Sequence, residues 1–194
     1  MGIALFGGAF DPFHNGHAAI IQNLETLAFL DKILLIPTHI PPHKPTPIFS
    51  PAQRLAMVEK VSRELGCKLT LQVSDIELKK ASPSWTIDTL KELKQTICNT
   101  QFYVVMGSDN YFSFHTWRYP KEILSLAKVI VINRNLSIDE SYQTYLKTFF
   151  WGDKDSFIFT NMNAVPISSQ LIRDKLRDNE DISGLVPVSI QGMI

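Results

Sequence analysis

The 194-residue sequence predicts an α/β domain built on a parallel sheet. Short apolar runs alternate with segments of helical periodicity along the chain, and no internal repeat or low-complexity tract interrupts them. With 45% apolar residues the chain can bury one good core, and at this length it is short for two. Strands that alternate with helices form right-handed βαβ units around a parallel sheet, and ligands bind such sheets beyond the carboxyl ends of the strands. Gly7, Pro37, Gly107 and Asn133 fall at those ends.

Each element has a local reason. Residues 3–6 are an apolar run suited to a buried parallel strand. After them Ala18, Ile21, Leu24, Leu27 and Ala28 recur at helical spacing, with Asn15 available as the N-cap. Residues 33–36 are a second strand, ended by Pro37, and Ser50-Pro51 supplies an N-cap and a first-turn proline for a helix to about Leu65. Residues 69–73 read as a third strand, 86–97 as a helix, 102–106 and 129–132 as strands four and five. A short strand at 157–159 precedes a helix from Ser169 to about Arg177. The expectation is one domain, 1–194, with a small C-terminal helical part.

Charge and cysteine usage exclude several classes. Lys+Arg and Asp+Glu both number 19, so the zero formal charge argues against a long nucleic-acid footprint. Cys67 and Cys98, with no Cys-x-x-Cys motif, fit two reduced thiols. No segment approaches the roughly 18 apolar residues of a membrane span, and no basic leader precedes an apolar stretch. A soluble cytoplasmic protein that meets neither membrane nor nucleic acid is expected.

The run Gly7-Gly8-Ala9-Phe10-Asp11-Pro12-Phe13-His14-Asn15-Gly16-His17 stands where the first strand meets the first helix. Gly7 and Gly8 let the backbone approach a ligand without a Cβ in the way, and the first helical N–H groups face the same place, so anion binding follows. His14 and His17 are three apart, and both rings can turn toward one group and stabilise charge growing on a phosphoryl oxygen. Asp11 can supply a turn bond to nearby N–H groups. His-x-x-His also occurs in metal sites, but no third ligand cluster follows and both cysteines lie far away. After strand two, the proline-rich segment 37–47 carries His43 and Lys44, a solvated loop or a mobile charge that neutralises phosphate.

The Gly-x-Phe-Asp-Pro-x-His-x-Gly-His pattern resembles the signature of the nucleotidyltransferase superfamily, which implies a Rossmann-like, doubly wound parallel sheet and phosphate binding by both histidines. Pro41-Pro42-His43-Lys44 is similar to the same segment in the bacterial nicotinate-nucleotide adenylyltransferases. So are three further stretches. Ser82-Pro83-Ser84-Trp85-Thr86-Ile87-Asp88-Thr89-Leu90 has Trp85 where tyrosine is usual; Gly107-Ser108-Asp109 is followed by Thr116-Trp117; and Ile167-Ser168-Ser169-Gln170-Leu171-Ile172-Arg173 has Gln170 in place of threonine. A pantetheine-phosphate adenylyltransferase would lack the Pro-Pro-His-Lys loop and the Thr-Trp pair.

The resemblance implies adenylyl transfer from ATP to nicotinate mononucleotide, giving deamido-NAD and pyrophosphate, with Mg²⁺ carried on the ATP phosphates and no protein metal site. It implies His14, His17 and Lys44 as catalytic residues. ATP would meet Gly7, Gly8, Phe10, His14, Gly16, His17, Gly107, Asp109, Ile167, Ser168, Ser169 and Arg173. Nicotinate mononucleotide would meet Lys44, Trp85, Thr86, Thr116, Trp117 and Arg134. The residues themselves leave two alternatives open. Asp109 either caps a helix beginning near Asn110 or accepts bonds from ribose hydroxyls, and Ser168 and Ser169 are either plain N-caps or phosphate donors beside Arg173. In the stretch Thr116-Trp117-Arg118, backbone N–H groups and the threonine hydroxyl are expected to donate to the nicotinate carboxylate while Trp117 stacks on the ring.

Overall fold

The computed structural model describes residues 1–39, 46–80, 83–133, 140–163 and 165–194. The apolar runs become the strands β1 (Gly2–Gly8), β2 (Lys32–Pro37), β3 (Thr70–Val73), β4 (Gln101–Gly107), β5 (Ala127–Asn133) and β6 (Phe157–Asn161), ordered β3-β2-β1-β4-β5-β6. That is the doubly wound order, reversing at β1. The β1–β4, β2–β3, β4–β5 and β5–β6 pairs are parallel, with Ile3 opposite Phe102 and Val104 opposite Val129. Between the strands lie α1 (Asn15–Leu24), α2 (Pro51–Glu64), α3 (Thr86–Thr96), α4 (Ser108–Tyr111), α5 (Pro120–Leu126), α6 (Glu140–Phe149) and, after β6, α7 (Ser169–Arg177).

Two compact units make up the chain. One comprises Met1–Phe6 and Trp85–Ala164. Its central strand β5 buries Val129, Ile130, Val131 and Ile132 completely, the unalternating apolar run of a parallel strand covered on both faces. Fully burying each such side chain contributes about 1.5–3 kcal/mol. Around the buried Tyr111 gather Phe112, Tyr142, Tyr145, Phe157 and Phe159, with ring centroids 4.7–5.8 Å from its own. The Tyr111 hydroxyl donates to the Tyr142 carbonyl at 2.9 Å, and that of Tyr142 to Asn133 Oδ1 at 3.1 Å. Burial, then the neighbouring Tyr145 and Tyr142, push the Tyr111 phenol well above its ordinary range.

The second unit comprises Gly7–Ser84 and Val165–Ile194. The start of α2 is the expected one: Ser50 Oγ accepts from Gln53 N at 3.3 Å, Gln53 Oε1 accepts from Ser50 N at 2.9 Å, and Pro51 opens the helix. Its buried stripe is Arg54, Met57, Val58 and Val61, with a charge in an apolar position. The turn Val188–Met193 packs on α2 and buries Ile190 completely. Cys67 is half-buried and Cys98 exposed, both as free thiols.

Two helices have no counterpart among the expected elements. Pro120 at the first turn marks α5, and Tyr142, Tyr145 and Leu146 give α6 its buried stripe at helical spacing. The helix expected near Asn110 is the four-residue α4, which begins two residues earlier, at Ser108.

Candidate active site

The second unit brings together every described residue of the histidine–glycine turn and of the Ile-Ser-Ser segment. His14, not Asn15, is the N-cap of α1, with extended φ −146° and ψ 168°. Asn15 opens the helix instead. Its amide donates to the Leu185 carbonyl at 2.9 Å and its side chain to the Gly184 carbonyl at 2.7 Å, so tertiary bonds override its capping preference. The His14 N–H donates to His17 Nδ1 at 3.2 Å, and the rings stack with centroids 3.7 Å apart. Acceptance at Nδ1 leaves the His17 ring proton on Nε2, a donor at the ring's far edge. Gly16 is required by this stack: a Cβ there would stand 2.9 Å from His14 Nδ1 and 3.3 Å from the Ile167 carbonyl.

Phe10 takes the left-handed conformation, φ 49°, and sets its ring edge-on to His17 at 5.0 Å and beside Phe13 at 5.6 Å. Gly8 faces that ring, where an added Cβ would sit 3.3 Å from Phe10 Cε1. Gly7 has no such neighbour within 3.4 Å. Asp11 does more than make a local turn. Its carboxylate accepts from the Ile48 amide at 3.1 Å and the Phe49 amide at 2.9 Å, far along the chain, and pairs with Arg173 Nη1 at 3.4 Å. Sequence gave no sign of that reach, because a carboxylate's distant partners leave no periodic trace.

On α7 the two serines separate in role. Ser168 is the N-cap, its hydroxyl accepting from Leu171 N at 3.1 Å, whereas Ser169 Oγ donates to the Pro12 carbonyl at 3.1 Å. Arg173 donates through Nη1 to the Asp11 carbonyl at 2.8 Å and through Nη2 to Gln170 Oε1, so the residue that replaces threonine holds the guanidinium. Ser169 and Arg173 are thus tied to the turn of His14 and His17 by bonds that span the chain. Donors fixed around such a turn suit a phosphate chain.

In the first unit, Gly107 is the N-cap of α4 and Asp109 lies in its first turn, exposed. The helix therefore starts before Asp109, which is not its cap. Trp85 is the N-cap of α3, with Thr86 next, and makes no side-chain cap bond; the Arg118 guanidinium lies 5.6 Å from the Trp85 ring centroid. Trp117 is half-buried, its ring edge-to-face with Phe114 at 5.3 Å. Three of the donors expected to read a carboxylate are spent within the turn. Thr116 N and Oγ1 donate to the Ser113 carbonyl at 2.9 and 2.7 Å, and Trp117 N to Phe114 at 3.0 Å. A 3₁₀ turn satisfies its own amides, which spacing alone did not reveal. Lys44 and Arg134, with the Pro41-Pro42-His43 segment and Ser82, lie outside the described residues.

Sheet order and histidine turn together define a nucleotidyltransferase, and the chain belongs to the cytidylyltransferase-like family, whose model matches residues 5–175. Within that class its relatives fall in one group. A protein of Dictyoglomus thermophilum named "Probable nicotinate-nucleotide adenylyltransferase" is 32% identical over all of this chain and 96% of its own length. One of the same name from Fusobacterium nucleatum is 34% identical over all of this chain and 97% of its own. The chain is therefore a member of the nicotinate-nucleotide adenylyltransferase family. In fold it is similar to the Plasmodium falciparum nicotinic acid mononucleotide adenylyltransferase solved with NaAD, with a TM-score of 0.78 and 24% identity, covering 97% of this chain and 92% of that one.

Proposed function

We propose that this chain transfers the adenylyl group of ATP to nicotinate mononucleotide. An oxygen of the mononucleotide's 5′-phosphate forms a bond to the α-phosphorus of ATP, the bond from that phosphorus to the β-phosphate oxygen breaks, and pyrophosphate leaves with the electron pair. No serine or cysteine nucleophile enters, so the transfer is direct. What this protein supplies is position and charge. The observation that carries the reading is the stacked His14–His17 pair over Gly16, with Arg173 tied to the same turn through Asp11.

His17 Nε2 donates to the phosphoryl oxygens as charge grows there, His14 holds His17 in register, and Arg173 leaves Gln170 for the triphosphate. Lys44 adds a further charge. Gly7, Gly8, Phe10, Gly16, Ile167, Ser168 and Ser169 line the ATP side, and Gly107 and the exposed Asp109 carboxylate serve its ribose. Trp117 stacks on the pyridine ring, with Trp85, Thr86 and Arg134 completing the mononucleotide side. Since the Thr116 amide and hydroxyl and the Trp117 amide are engaged, the nicotinate carboxylate bonds at Thr86, the first residue of a helix without a side-chain cap, and Thr116 lies on the mononucleotide side without donating to it.

ATP enters such reactions as a complex with a divalent cation. We assign Mg²⁺, carried on the ATP phosphates as part of the substrate, because it is a hard cation that binds through phosphate oxygens and keeps several of its waters. No helix among those residues is long and apolar enough to cross a membrane. We place the enzyme in the cytoplasm, acting as one domain over 1–194. A pyrophosphate-release assay with ATP and candidate mononucleotides tests the reading. Turnover with nicotinate mononucleotide is expected, and an inert purified protein would refute it.

A further inference from the structure

Arg54 is completely buried in the apolar stripe of α2, a position that packing alone would give to an aliphatic residue. Removing a guanidinium from water costs several kcal/mol, and a hydrophobic replacement of similar volume is often no less stable. Burial lowers its affinity for the proton and the charge of Asp11 opposes that effect. Its bonds explain the choice. Nη1 donates to the carbonyls of Ala9 at 2.6 Å and Thr38 at 2.7 Å, Nη2 to His39 at 3.1 Å, and Nε to Phe49 at 3.2 Å. Four carbonyls from three separate segments thus converge on one planar fork, which no other side chain can satisfy.

The Ala9 bond reaches furthest. The Ala9–Phe10 peptide is trans, so fixing the Ala9 carbonyl fixes the plane of that peptide and the backbone from which Phe10 takes its left-handed turn. The Phe10 ring in turn sets its edge against His17 at 5.0 Å. We infer that Arg54 is a positioning residue for adenylyl transfer: through Ala9 and Phe10 it holds the His17 ring where the phosphoryl oxygens develop charge. This rests on the reading of His17 given above. Arg54 never touches substrate. Its contribution is the placement of a donor, which matters most in the transition state.

A double-mutant cycle separates this role from plain stabilisation. R54Q, H17A and the double variant are assayed at a temperature where circular dichroism shows each fully folded. R54Q is expected to lower kcat tenfold or more in the wild-type background, with the KM for nicotinate mononucleotide changed less than threefold. In the H17A background it should lower kcat less than threefold. Equal losses in both backgrounds, or a wild-type kcat for R54Q, would overturn the inference. Should R54Q fail to fold, R54K, which keeps the charge without the fork, and Phe10→Leu, which removes the ring but leaves Arg54, go through the same cycle. Each must lose kcat only where His17 is present. An H17A enzyme with wild-type activity refutes the reading of the site itself, a result distinct from an active enzyme in which Arg54 acts independently of His17.

Discussion

The histidine turn and the aromatic end of the first unit are held together by opposite means. Around His14 and His17, charged and polar side chains bind backbone groups far along the chain: Asp11 to Ile48 and Phe49, Arg173 to Asp11, Arg54 to four carbonyls. Around Trp117, rings pack on rings and the turn satisfies its own amides. A phosphate chain demands fixed donors, and their placement needs long-range bonds. A flat ring needs a flat apolar face, which local packing supplies.

Substitutions test this contrast. The largest effect is expected at His17, where alanine removes a donor to the developing charge. It should cost about 3 kcal/mol or more in kcat/KM, with the melting temperature nearly unchanged. Wild-type steady-state kinetics would end the comparison at once.

Next comes the choice of base. Charge-assisted bonds to the nicotinate carboxylate should favour the acid over nicotinamide mononucleotide by ~2–3 kcal/mol, on the order of a hundredfold in kcat/KM. Trp117→Ala should raise KM for both mononucleotides by roughly fivefold, about 1 kcal/mol of stacking, and leave their ratio intact. Parallel kinetics with the two substrates measure this. A collapse of the ratio in Trp117→Ala would give the tryptophan a role in reading charge.

Thr116→Val sharpens the same point with a smaller change. Its hydroxyl proton is held by Ser113, so the valine variant should keep the acid-to-amide ratio within about twofold while losing roughly 1 kcal/mol of stability. A tenfold fall in the ratio would restore Thr116 as a carboxylate donor.

The alkaline limb of stability should belong to the aromatic end. Folding raises the Tyr111 phenol above its ordinary value of 10.0, so the folded chain holds that proton more tightly than the unfolded one. The resulting stability is fully present below pH 10.0 and falls as pH climbs beyond it. Tyr111→Phe should therefore flatten the loss of melting temperature above that pH. An unchanged slope would assign the limb elsewhere.

The sequence was most legible where local rules govern. Apolar runs gave all six strands, the Ser50-Pro51 pair gave the start of α2, and glycines with histidines gave the turn. What escaped it depended on distant partners. Asn15 carries a capping side chain, yet Gly184 and Leu185 claim it, and Asp11 reaches to Ile48 where a local bond was expected. Arg54 did leave a trace, as a charge three, four and seven residues before Met57, Val58 and Val61 in an otherwise apolar stripe. The engaged amides of Thr116 and Trp117 left none, since a 3₁₀ turn and an open loop look alike in spacing.

The bond from the Asn15 side chain to Gly184 joins residues 169 positions apart, and with the neighbouring bond to Leu185 it bears on how the enzyme is born. A ribosome adds about 5–20 residues per second, so the histidine turn leaves the exit tunnel many seconds before the segment that secures the first amide of its helix. Until then the nascent chain carries the signature without its fastening. The fastening of the histidine turn is therefore a late event of synthesis. Chains cut short of residue 184 should bind metal–nucleotide poorly, however intact their signature.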